Sequence, residues 1–194
     1  LRIALVSMLL FMFGTFQAEY TQAQNNLTVG VYEDDGTTGI PDVNIYYHNG
    51  YWRGLGKTGP GGQLTATIPS GTWNFKASYG GTIALQQGIT LPATVTFYTS
   101  KATVYTKTHG NNALSGVSVY YHAGYDRGIG KTVGGEISTQ LFGTDIKFKC
   151  KYGGTTSAEQ TMTLTGDGTS SGGSGSLTFW TSEATVVTKT HDES

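Results

Sequence analysis

The chain has 194 residues, of which 37% are hydrophobic and 12% aromatic, and its 12 Lys+Arg against 13 Asp+Glu give a formal net charge of −1. This balance leaves no basic field for nucleic acid. The 29 Gly with only 4 Pro, in no triplet repeat, exclude collagen, and the aromatic content excludes a solvated disordered chain.

In chain order, residues 1–24 read as a secretory leader. Arg2 is a short positive start, and residues 3–13 (IALVSMLLFMF) form an apolar run too short to span a bilayer. Thr21 and Ala23 are the small residues of a cleavage site near Gln24. The competing reading is a buried apolar strand or an uncleaved anchor. A leader implies an oxidising compartment, yet the single cysteine, Cys150, permits no intramolecular disulfide, so the fold is expected to hold by packing alone.

The rest of the chain is repetitive. YYHNGYWRGLGKT (46–58) returns as YYHAGYDRGIGKT (120–132), at an offset of 74. WNFKASYGGT (73–82) returns as IKFKCKYGGT (146–155), at 73, and TFYTSKATVYTKTH (96–109) as TFWTSEATVVTKTH (178–191), at 82. The larger last offset reflects an insertion, GDGTSSGGSGS (166–176), which reads as an exposed loop offering hydroxyls for O-linked sugars. Each copy alternates at period two, as strands do. Val43, Ile45 and Tyr47 share one face, as do Trp73, Phe75, Ala77 and Tyr79, or Ile146, Phe148, Cys150 and Tyr152. Strands are expected near 27–33, 43–48, 51–57, 63–68, 73–79, 82–91 and 93–100. Tyr-Gly-Gly-Thr (79–82 and 152–155) predicts a two-residue hairpin, because glycine accepts the positive φ such turns need. Seven short alternating strands per copy predict two tandem seven-stranded antiparallel β-sandwich domains of the Ig-like kind, over 25–101 and 102–183. Only Lys101 and Ala102 separate their strands, with no Pro/Gly/Ser linker, so a stiff rod is expected rather than a hinged pair. Residues 184–194 open a third copy.

The pattern G-V-x-V-Y-Y-x-x-G…G-K-T…F-K-x-x-Y-G-G-T…V-T-F-x-T resembles the tandem CnaB-like, carboxypeptidase-regulatory-like or transthyretin-like β-sandwich repeats of bacterial cell-surface proteins. The resemblance covers nearly all of 26–194. It implies a stalk, adhesin or fibre module. One trait of CnaB-like domains, a Lys–Asn isopeptide bond with its Asn on the last strand, does not carry over, since VTFYTS and LTFWTS lack Asn.

Candidate chemistry is sparse. GLGKT (54–58) and GIGKT (128–132) imitate a P-loop, but Tyr51 and Tyr125 stand where its first glycine belongs, and no helix pattern comes after. An exposed strand and turn explain them better. Tyr46, His48, Tyr51, Trp52 and Arg53, with Tyr120, His122, Tyr125 and Arg127 in the second copy, form the richest local clusters. They read either as a platform for sugar rings or as a subunit or domain contact. The histidines fall in equivalent pairs, His48 with His122 and His109 with His191, at no metal-ligand spacing. Glu33-Asp34-Asp35-Gly36 reads as a solvated turn before it reads as a calcium loop. Cys150 takes the core position of Ala77 and behaves as a small hydrophobe. Lys147, Lys149 and Lys151 make a solvated strip that discourages edge pairing. No metal, cofactor or catalytic constellation is expected, and the chain is not expected to be an enzyme.

The expected function is a secreted structural protein, a subunit or stalk segment of a bacterial extracellular fibre that self-associates into a homopolymer. The alternative is a carbohydrate-binding or adhesive module of a larger surface protein, with a surface glycan as partner. After leader cleavage no membrane contact is expected. Thr185, Val186, Val187, Thr188, Lys189 and Thr190 are either the start of a further repeat or a donor strand that pairs with the next subunit.

Overall fold

The computed structural model describes residues 23–181. Nearly all of the expected leader and the six candidate donor residues, Thr185 to Thr190, lie outside them. The described residues are all-β, without a helix.

The N-terminal half has β1 (Gln24–Tyr32), β2 (Asn44–Asn49), β3 (Tyr51–Lys57), β4 (Gln63–Pro69), β5 (Thr72–Tyr79), β6 (Thr82–Thr90) and β7 (Thr94–Tyr98). They form two sheets, ordered β4-β1-β7 and β3-β2-β5-β6. The period-two pattern explains the layering. Leu27, Val29 and Val31 of β1, Ile68 of β4 and Val95 and Phe97 of β7 meet Ile45, Tyr47, Phe75, Ala77 and Ala84 of the other sheet in one buried core. At roughly 25 cal/mol per Å² of apolar surface, this face-to-face burial is the main stabilising contribution.

The C-terminal half repeats the plan with β8 (Ser100–Lys107), β9 (Ser118–His122), β10 (Asp126–Lys131), β11 (Glu136–Leu141), β12 (Asp145–Tyr152), β13 (Thr155–Thr156), β14 (Gln160–Thr163) and β15 (Ser174–Trp180). One sheet runs β11-β8-β15; the other runs β10-β9-β12-β13, with β14 also on β12. Its core gathers Ala102, Val104, Val119, Tyr121, Phe148, Cys150, Met162 and Phe179.

The expected hairpins are present. Tyr79 pairs Thr82 and Tyr152 pairs Thr155, with Gly80, Gly81, Gly153 and Gly154 all at positive φ. Three features differ from expectation. The C-terminal half has eight strands rather than seven, because the stretch that matches β6 is broken into the short β13 and β14. The sandwiches are not wholly antiparallel, because β7 pairs β1 in parallel and β15 pairs β8 in parallel. The chain enters each sandwich at one pole and leaves at the other, so its first and last strands run the same way; β4 takes one edge of β1, and β7 takes the other. The boundary also falls earlier than Lys101 and Ala102, which already lie inside β8. Thr99 alone separates β7 from β8.

Candidate functional site

The β2–β3 edge carries the first aromatic cluster. Tyr51 and Trp52 are 60% and 37% exposed, large values for such apolar rings. Arg53 lies over the Tyr51 ring at 4.4 Å, and His48 meets Trp52 edge-on at 5.2 Å. The Lys76 ammonium, on the neighbouring β5, lies 4.5 Å from the Tyr46 ring and 4.7 Å from the Trp52 ring. On the β9–β10 edge Asp126 replaces Trp52 and accepts a hydrogen bond from Lys149, the counterpart of Lys76, and contacts His122. Lys149 holds the Asp126 carboxyl below its usual range. Arg127 stacks on Tyr125 at 4.1 Å, and Tyr120 lies against Gly128. His122, Asp126 and Glu159 have ligand atoms within 4.8 Å of one another, but all three are exposed, and Asp126 is engaged by Lys149.

The P-loop look-alikes have a structural explanation. The register of β2 against β3, and of β9 against β10, shifts at Gly54/Gly56 and Gly128/Gly130, and Gly56 and Gly130 take φ of 136° and 143°. These bulges let Leu55 and Ile129 pack on the cores. Thr58 and Thr132 are buried and bind the backbone, their hydroxyls donating to Ile40 O (2.7 Å) and Leu114 O (2.9 Å). The Gly-Lys-Thr signature thus closes a loop over each core.

The acidic turn is also committed. Asp35 caps its own loop, accepting from the backbone N–H of Thr37 and Thr38 and from the Thr38 hydroxyl, which holds its carboxyl down at about 2. Cys150 is buried, and burial pushes its thiol up to about 12, so at neutral pH it is a packed thiol rather than a thiolate nucleophile. Lys147 pairs Glu159 at 3.8 Å, so two of the three strip lysines have acidic partners.

The most developed constellation lies where the halves meet, and its principal residues are not among those that the sequence singles out. Phe142, in the turn after β11, is buried within the N-terminal core, edge-on to Phe97 at 6.4 Å. Its N–H donates to Thr82 Oγ1 (2.9 Å). Tyr121 donates its hydroxyl to Gly80 O (2.7 Å). Gln140 accepts from Thr99 Oγ1 (2.8 Å) and donates to Asp34 Oδ1 (2.6 Å) and Glu33 Oε2 (3.3 Å). Arg127 presses on the β5–β6 hairpin so closely that a Cβ at Gly81 would lie 2.6 Å from its Nε. The insertion joins in through its backbone while Thr169, Ser170 and Ser171 stay exposed: Tyr98 N donates to Gly168 O, and Gly172 N donates to Asp34 O. One signal could have exposed Phe142. The repeats align Leu141-Phe142-Gly143 with Ile68-Pro69-Ser70, so a large aromatic stands in a turn where the other copy has proline.

No family model matches the chain, and no curated protein does. Solved structures similar to it include the Bacillus anthracis TIE protein, at 12% identity and TM-score 0.33 over 82% of this chain and 34% of that one. The shaft pilin SpaA of Lactobacillus rhamnosus GG is similar at 12% identity and TM-score 0.31, over 84% of this chain and 100% of that one. The minor pilin GBS52 of Streptococcus agalactiae is similar at 14% identity and TM-score 0.38, over 85% and 100%. The chain spans about a third of the length of the TIE protein.

Proposed function

We propose that the chain is a non-enzymatic structural segment of a secreted or cell-surface stalk, built from two β-sandwich units that meet at Thr99, in head-to-tail series. The interlocked junction carries this reading. A linker of one residue, a phenylalanine of one half buried in the other's core, and a set of cross-junction hydrogen bonds resist bending in every direction. A module built only to hold a ligand has no need of such stiffness. Cys150 offers no thiolate, Lys57, Lys147 and Lys149 pair with Asp42, Glu159 and Asp126, and Asp35 caps its own turn, which supports a structural rather than a catalytic role.

In its finer form the proposal makes the chain a subunit that polymerises, with Thr185–Thr190 as the strand given to a neighbour. The support is their repeat of the β8 sequence. Both edges of β1 are occupied by β4 and β7, so a donated strand would add at an outer edge or displace one of these two. The aromatic edge Tyr51-Trp52-Arg53 belongs to subunit contact in this reading. A sugar platform is the alternative, supported by the exposure of Tyr51 and Trp52 and opposed by Lys76, which covers ring faces that sugars would need.

Backbone 15N relaxation of the mature protein tests the stalk. A single anisotropic tumbling tensor for both halves is expected; independent correlation times would overturn the reading. Negative-stain microscopy of the same protein beside a form ending at Glu183 tests the polymer, with filaments expected only from the longer form.

A further inference from the structure

The pole of the C-terminal half opposite the junction holds a solvent-open cavity of about 520 Å³, within the roughly 300–1,000 Å³ range of binding pockets. Its walls include Leu114, Val117, Cys150, Thr155, Phe179 and Trp180. Aligning the repeats turns these into Ile40, Val43, Ala77, Thr82, Phe97 and Tyr98 of the N-terminal half. Ile40, Val43, Ala77 and Phe97 belong to the core that Phe142 enters, Phe97 meets its ring, and Thr82 accepts its N–H. The exits of the two poles match as well: Thr99 N donates to Tyr32 O at the filled pole, and Thr181 N donates to Lys107 O at the open one. The same acceptor is therefore present twice, filled in one half and open among the described residues in the other.

We propose that this cavity is the acceptor for an aromatic side chain on the end turn of a further β-sandwich unit of the C-terminal type, whose backbone N–H bonds Thr155 Oγ1. Three observations select this occupant. Residues 178–191 repeat 96–109, so the polypeptide leaving the cavity rim carries the residues that, after Thr99, build the unit delivering Phe142. The N-terminal half of a second copy lacks the knob. Its counterpart of Phe142 is Pro69, with no aromatic ring and no N–H, and Trp73 is held away by its Nε1–H on Pro69 O (2.9 Å) and its packing on Tyr47. Residues 182–194 contain no Phe, Tyr or Trp to fill the cavity. The rim offers an aromatic guest an apolar partner in Trp180, which is 55% exposed.

The inference deepens the stalk reading and rests on it, by naming the contact through which the stalk continues. It is tested by repeating residues 100–181 in frame after Thr181, with and without Phe142→Ala in the added copy alone. NMR shifts of the Thr155 amide and the Trp180 indole of the original copy report occupancy. With the aromatic present, both signals are expected to move, and the original and added units to tumble together. The alanine form is expected to populate the docked state about tenfold less or lower still. Identical spectra from the two forms overturn the proposal. So does concentration-dependent shielding of Trp180 in the unextended full chain, which would make a second copy the occupant. Should the extended chain not fold, acetyl-Leu-Phe-Gly-amide titrated into the full chain, against its Leu-Ala-Gly counterpart, decides the matter: the phenylalanine peptide must shift Thr155 and Trp180 selectively. Either result leaves the relaxation test of the existing junction standing, so the two readings can fail separately.

Discussion

In the N-terminal half Lys76 rests over the rings of Tyr46 and Trp52, whereas its counterpart Lys149 bonds Asp126. In the N-terminal half the far pole is closed by Phe142, whereas among the described residues the equivalent pole of the C-terminal half is open. The framework around these sites changes little: the same strand order recurs, with β13 and β14 in place of β6, as do the Gly-Gly hairpins and the buried Thr58 and Thr132. The two halves teach that the sandwich fixes where side chains meet and leaves open what they say to one another. A cation over a ring becomes an ion pair by one exchange, Asp126 for Trp52, and the entry end of a half gains a plug by another, Phe142 for Pro69.

The comparison is broken most severely at the plug. Phe142→Ala removes a fully buried ring from a core to which its own half contributes little else, and about 3–5 kcal/mol of stability should be lost. The loss should appear in the N-terminal half, 43 positions or more from the substitution in sequence (142 − 99). Denaturant unfolding followed by residue-resolved NMR should turn from one transition into two; a single unshifted transition would show that the plug does not couple the halves.

A smaller effect sharpens the same contact. Thr82→Val keeps the shape but removes the acceptor of the Phe142 N–H, which is then left buried without a partner at a cost of about 1–3 kcal/mol. The equivalent change at the open pole, Thr155→Val, should leave the midpoint of the unextended chain within about 0.5 kcal/mol. Equal losses at both positions would mean that Thr82 acts within its own half.

The smallest effect concerns the two lysines. The Asp126 carboxyl is lowered in the folded state, so its contribution is complete above the unfolded value of 3.8 and is lost as pH falls through the lower folded value. Asp35, held at about 2 by Thr38 and Thr37, behaves in the same sense over the window from 3.8 down to about 2. Asp126→Ala should therefore weaken the C-terminal half at neutral pH by an amount that shrinks with added salt and disappears in acid. Trp52→Ala in the other half should cost about 0.5–1 kcal/mol, and that cost should not vanish in acid, since its cation is a lysine. Acid titration of both variants, followed by urea midpoints, separates the two.

Much of this architecture was legible in the sequence because its signals are local. Alternation of Val43, Ile45 and Tyr47 announces a half-buried strand whatever lies above it, and Gly80-Gly81 announces a hairpin from φ alone. The parallel pairing of β1 with β7 was not legible, because it joins residues such as Val29 and Val95, whose partnership is settled by the route of the chain and not by any local period. The knob was hidden for a related reason. Phe142 sits in a turn, where no periodicity marks it, and its socket is made by residues 40–100 of the preceding half. The aromatic clusters at Tyr51 and Tyr125 drew attention instead because they are dense in sequence. The insertion 166–176 reads as solvated because its residues are small and polar, and Thr169 to Gly172 are exposed; what no local signal marks is that Gly168 lies against the other half, where a Cβ would come within 2.7 Å of that of Ala84.

The parallel pairing has a mechanical side. Each half is entered along its first strand and left along its last, and these two lie side by side, pointing the same way, over five paired positions in β1–β7 and seven in β8–β15. A pull on the two ends of such a unit slides neighbouring strands lengthwise, so the ladder between them is loaded in shear and its bonds must yield together. A pair joined antiparallel at a hairpin would open one rung at a time. A tandem unit pulled in this way draws its resistance from this geometry, and the C-terminal half, with seven paired positions against five, has more rungs that must break together.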